Sequence, residues 1–85
     1  MEKFIETLIN QKENFSSEQI LDIFFKVGLE KDVIILKNDG FRSMDVFTVI
    51  ITYSNKSFES IRCEGDNLTE LLKKALRKYL SNKKQ

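Results

Sequence analysis

Residues 44–80 read MDVFTVIITYSNKSFESIRCEGDNLTELLKKALRKYL, and two periodicities within them decide the fold. From Met44 to Tyr53 the side chains alternate. Phe47, Val49, Ile51 and Tyr53 fall on one face, and Val46, Thr48, Ile50 and Thr52 on the other, the period of two that a β-strand imposes. Ser54-Asn55-Lys56-Ser57 predicts a tight hairpin turn, after which Phe58 to Cys63 returns as a second strand. A two-residue turn at Asn55-Lys56 sets Tyr53 opposite Phe58 and Ile50 opposite Ile61. Gly65 ends the sheet, Asp66 or Asn67 caps a helix, and Glu70 is the box partner of Asn67. From Asn67 to Leu80 the spacing becomes helical: Leu68, Leu71, Leu72, Ala75, Leu76, Tyr79 and Leu80 make one unbroken apolar stripe. Thr69, Glu70, Lys73, Lys74, Arg77 and Lys78 lie opposite, with the bases gathered toward the C-terminus, where they suit the helix dipole.

Upstream, Asp32 to Lys37 carries the β-branched run Val33-Ile34-Ile35-Leu36, and Asn38-Asp39-Gly40 turns it. Two helices precede it. Glu2 to Lys12 places Phe4, Ile5, Leu8 and Ile9 on one stripe. The second helix starts at Ser16, with Gln19 as capping-box partner and Phe15 and Ile20 as a hydrophobic staple. It holds Ile20, Leu21, Ile23, Phe24, Phe25 and Val27, and Gly28 is placed as its left-handed stop with Leu29 folding back on Phe24. So apolar a helix is either largely buried or half an interface. The predicted architecture is α+β, in the order α-α-β-β-β-α, with a three-stranded antiparallel sheet packed by helices in one domain over residues 1–85. Both faces of the sheet carry apolar residues, so the second face is either covered or left for a partner.

The chain has 85 residues, 41% hydrophobic and 32% charged, which suits a single folded domain rather than disorder. No apolar run reaches the roughly 18 residues that span a bilayer, and Met1-Glu2-Lys3-Phe4 opens directly into a helical pattern; the expected location is the cytoplasm. There is no His and one Cys, which leaves neither the commonest general base nor a zinc ligand set. Gly28, Gly40 and Gly65 are too far apart for a phosphate-binding loop. Cys63 reads as a small buried filler without an activating base. Glu30 with Asp32, and Asp39 with Asp45, are acid pairs at the strand ends and turns where acids commonly sit. No cofactor, no metal and no enzymatic activity are expected.

Net charge is +1 but uneven: residues 66–85 hold six bases against two acids, and residues 1–65 hold eight bases against eleven acids. Lys73, Lys74, Arg77 and Lys78 are the candidate nucleic-acid contacts, or else a solvated helix face with Lys83-Lys84 as its tail. The loop Asn38 to Asp45 is the candidate protein contact, because Phe41 and Arg42, beside Gly40 and between Asp39 and Asp45, are of the types enriched at binding hot spots.

From Ser16 to Leu80 the order helix, three strands, helix resembles that of the double-stranded RNA-binding domain. Phe47-Thr48-Val49-Ile50-Ile51 followed by Lys56-Ser57-Phe58-Glu59 is similar to the central hairpin of that family. The resemblance implies an RNA-binding fold with a basic cluster opening the last helix. Here that helix opens on Asp66-Asn67-Leu68-Thr69-Glu70, and Lys73-Lys74 follows more than a turn later. Glu64-Gly65-Asp66-Asn67-Leu68-Thr69-Glu70-Leu71 also resembles the strand-to-helix junction of HicB-type antitoxins and small phage α/β sandwich proteins. These relatives are binding modules, and in type the chain resembles phage and mobile-element inhibitors, anti-CRISPR proteins among them. The expectation is a small protein-binding regulator or inhibitor. RNA binding through the last helix and a structural homodimer are the alternatives.

Overall fold

Ser16 opens the second helix as its sequence requires: its hydroxyl accepts from Gln19 N at 3.1 Å and Gln19 Oε1 accepts from Ser16 N at 3.0 Å. In the computed structural model, which describes residues 1–55 and 57–83, the elements are α1 (Glu2–Ile9), α2 (Ser17–Leu29), β1 (Val33–Asn38), β2 (Phe47–Thr52), β3 (Ile61–Gly65) and α3 (Leu68–Lys83). The α+β order α-α-β-β-β-α is thus present, with an antiparallel sheet ordered β1-β2-β3. None of these helices is long and apolar enough to cross a membrane.

The hydrophobic core lies on one side of the sheet. Val49, Ile51, Tyr53, Ile61 and Cys63 meet Leu71, Leu72, Ala75, Leu76 and Tyr79 of α3 in the buried core, with Ile23 and Val27 of α2 and Ile5 and Leu8 of α1. Each such Val, Leu or Ile side chain contributes about 1.5–3 kcal/mol relative to exposure. α2 lies over β1, α3 over β2 and β3, and α1 against α3. The second face is largely open: Val33 and Ile35 are exposed on it, beside Lys37, Thr52, Arg62 and Glu64, although Thr48 among them is buried.

Three expectations are corrected. The β2–β3 register is one residue away from that of a two-residue turn: Ile51 faces Ile61 and Val49 faces Cys63. The tight-turn register would put Ile61 and Cys63 on the open face, and the one-residue slip moves both into the core. Residues 53–60 therefore form a longer connection, of which Lys56 lies outside the described residues. Phe58 still reaches Tyr53, ring to ring at 5.2 Å. Gly28 does not end α2. The left-handed residue is Lys31 (φ 68°), with Lys31 N on Gly28 O at 3.0 Å and Asp32 N on Val27 O at 3.3 Å, a Schellman closure three residues further on. Leu29 is consequently exposed rather than packed on Phe24. The third correction concerns the last helix, which runs on to Lys83. Lys83 is no loose tail, since its Nζ lies 2.8 Å from Asp32 Oδ2. Lys84 of the expected tail lies outside the described residues.

Candidate partner-binding surface

The connection from β1 to β2, residues 39–46, is built by one aspartate and one arginine. Asp39 N donates to Val46 O at 2.7 Å, closing the loop at its base. Asp39 Oδ1 accepts from Phe41 N at 3.0 Å, the local turn that a short acidic side chain makes with its own backbone. The Arg42 guanidinium then spans the loop. Nη1 donates to Asp45 O at 3.2 Å and to Glu64 Oε2 on β3 at 3.0 Å, while Nε stands 3.4 Å from Asp39 Oδ2. Asp45 turns the chain back with φ 53°, and Val46 N donates to Asp66 Oδ1 at 3.2 Å. Arg62 lies 3.0 Å from the other oxygen of Glu64, and this hydrogen bond, with Arg42 beside it, holds the carboxyl below its ordinary range.

The four loop residues singled out from sequence thus have different roles. Asp39 and Arg42 are internal struts, and Asp45 supplies a bend and a carbonyl. Of the four only Phe41 offers an apolar side chain to solvent, 103% exposed, and Met44, three residues on, is exposed as well. The apolar surface continues elsewhere. Leu21, Phe25 and Leu29 recur every fourth residue on the outer side of α2 and are 55%, 66% and 72% exposed. Sequence alone left that stripe undecided between core and surface. The α2 sequence is apolar nearly all round, and only its docking on β1 through Ile23 and Val27 settles which side is wet.

The basic face of α3 is narrower than its sequence suggests. Lys74, Arg77 and Lys78 are exposed, but Lys73 is 6% exposed and leaves the stripe. Its Nζ donates to the carbonyl of Gln11 and lies 5.9 Å from the centre of the Phe15 ring. It pins the α1–α2 connection, itself fixed by reciprocal Gln11–Gln19 amide hydrogen bonds of 2.6 and 3.2 Å. A helical wheel places Lys73 on the margin of the apolar stripe, where a long stem covers the core and the ammonium finds a carbonyl.

A polar cluster that no local pattern announces lies at the other end of the sheet. Asp32, whose side chain is fully buried, accepts from Ser54 N at 2.7 Å, Ser54 Oγ at 3.1 Å and Tyr79 Oη at 2.6 Å, and pairs with Lys83. Burial pushes its carboxyl up, yet the hydrogen bonds from Lys83, Tyr79 and Ser54 outweigh it and hold Asp32 below the ordinary aspartate value. Burial, with Asp32 as its acceptor, pushes the Tyr79 phenol far up, so it stays a donor. Tyr53 stacks on Tyr79 at 5.5 Å and accepts from Asn82 Nδ2 at 2.9 Å. These bonds hold α3 to the entry of β1 and to Tyr53, and join the entry of β1 to Ser54 after β2, an arrangement suited to support. Cys63 is buried on the core face of β3.

Comparison with family models, with curated proteins and with solved structures returns no match. The likeness to RNA-binding domains and to small phage proteins accordingly rests on element order and short junctions.

Proposed function

We propose that the chain is a non-catalytic protein-binding module, a regulator or inhibitor that acts by occupying a partner's surface, with Phe41 as its anchor. The observation that carries this reading is the full exposure of Phe41 on a loop braced by Asp39, Arg42 and Glu64. An aromatic ring held out in this way is disfavoured in water, and burying it against a partner recovers about 2–3 kcal/mol. Bracing lowers the ordering cost of that contact, since the loop has little freedom left to lose. Met44 of the same loop is a second exposed apolar side chain.

Affinity capture from the native host, with the whole chain and with Phe41→Ala side by side, tests the proposal. A specific protein retained by the parent and released by the variant, with affinity falling about thirtyfold for a loss near 2 kcal/mol, is the expected result. Absence of any specific partner would sink it. A second reading, a homodimer, is favoured by the Leu21-Phe25-Leu29 stripe on α2. Equilibrium sedimentation giving a stable mass near 20 kDa, lowered by Phe25→Glu, would support that reading, since one chain is 10.0 kDa.

A further inference from the structure

Away from Phe41, an open cleft of about 630 Å³ runs between the start of β3 and the last turns of α3. Ser60, Ile61 and Arg62 line the sheet side, and Arg77, Lys78 and Ser81 line the helix side. Two properties coincide there. First, β3 is an edge strand: it pairs with β2 alone among the described residues. On such an edge every other residue turns its N–H and C=O outward, ready for another strand. Second, the walls are cationic. Arg62, Arg77 and Lys78 line the cleft with a single acid, Glu59. Arg62 shares Glu64, but Arg77 and Lys78 have no ion-pair or hydrogen-bond partner among the described residues.

We propose that this cleft is a docking groove for an extended acidic peptide segment, held by strand addition to β3 and by Arg77 and Lys78. The proposal is independent of the Phe41 reading. A strand added to β3 sends its side chains alternately to the two faces. Those on the helix side reach Arg77 and Lys78, and those on the open side reach Arg62. Carboxylates at every other position, on the helix side, satisfy Arg77 and Lys78 while the peptide backbone satisfies the strand edge. A nucleic-acid strand would use the cations and leave the edge unpaired, so the combination favours peptide.

The test is an amide NMR titration of the whole chain with an N-acetylated octapeptide alternating glutamate and threonine. The expected result is shifts confined to residues 59–65 and 77–82, with slowed hydrogen exchange at alternate β3 amides. Arg77→Glu with Lys78→Glu should weaken binding at least about tenfold, and added salt should weaken the parent's binding too. Lys12→Glu, the same kind of charge reversal near the Gln11–Lys73 flank, and Phe41→Ala should leave it unchanged. The amide spectrum of the charge-reversed variant checks its fold, and Arg77→Gln with Lys78→Gln replaces it if folding is lost. A peptide N-methylated at every backbone nitrogen, which leaves neither edge able to donate, should fail to bind. Binding that survives N-methylation, shifts that miss β3, or no binding at millimolar peptide each overturn the proposal. So does an oligouridylate that binds at Arg77 and Lys78 where the peptide does not.

Discussion

Thr48 sits on the open face of the sheet, between Lys37 and Glu64, and is nonetheless only 2% exposed. Its Oγ1 has no hydrogen-bond partner among the described residues. Of its two cross-strand neighbours, Glu64 is held by Arg42 of the β1–β2 loop. A buried hydroxyl without a partner is a standing cost, and valine has nearly the same shape without it. Thr48→Val should therefore stabilise the fold by about 0.5–1 kcal/mol, read as a higher urea midpoint with an unchanged slope. A lower midpoint would mean that the hydroxyl is satisfied. Lys31 is the corresponding backbone case: it takes a left-handed conformation that favours glycine. Lys31→Gly should raise the thermal midpoint, by relief of about 1 kcal/mol of strain less the entropy glycine adds to the unfolded chain.

At the scale of elements, the parts of the fold that were legible are those whose signals are local. The Ser16–Gln19 box, the Asn67 cap, now seen to accept from Glu70 N at 3.0 Å, and the stripe of α3 depend on residues within a few positions of one another. The end of α2 was misplaced because Gly28 is the commonest stop residue, whereas the chain continues until the Schellman bonds can close over Lys31. The β3 register was not legible from the turn alone. Ser54-Asn55-Lys56-Ser57 favours a short loop, but the core demand for Ile61 and Cys63 beside Ile51 and Val49 outweighs it. The site divides in the same way. Phe41 was identifiable by its type and its loop. The roles of Asp39 and Arg42 as struts depend on Glu64, 22 residues away from Arg42, and the loss of Lys73 from the basic face depends on a carbonyl of the α1–α2 connection.

For the molecule as a whole, Asp32 joins three segments that are remote in sequence: the entry to β1, Ser54 after β2, and the last turns of α3. Its carboxyl is held below its ordinary value, so it stabilises the fold fully at neutral pH. That stabilisation is lost as the pH falls below the ordinary aspartate range and through the lowered folded value. Stability should accordingly decline on acidification, and Asp32→Asn should flatten that limb while costing about 2–3 kcal/mol at neutral pH. Urea midpoints across the acid range read both effects, and parallel limbs in parent and variant would exclude Asp32 as the source. The solitary thiol of the chain offers a different view of the same cohesion. Cys63 is 3% exposed where β3 meets α3, so an alkylating reagent can reach it only when that seam parts. Its labelling rate, set against that of an unfolded chain, is thus a built-in gauge of how often helix and sheet separate under native conditions.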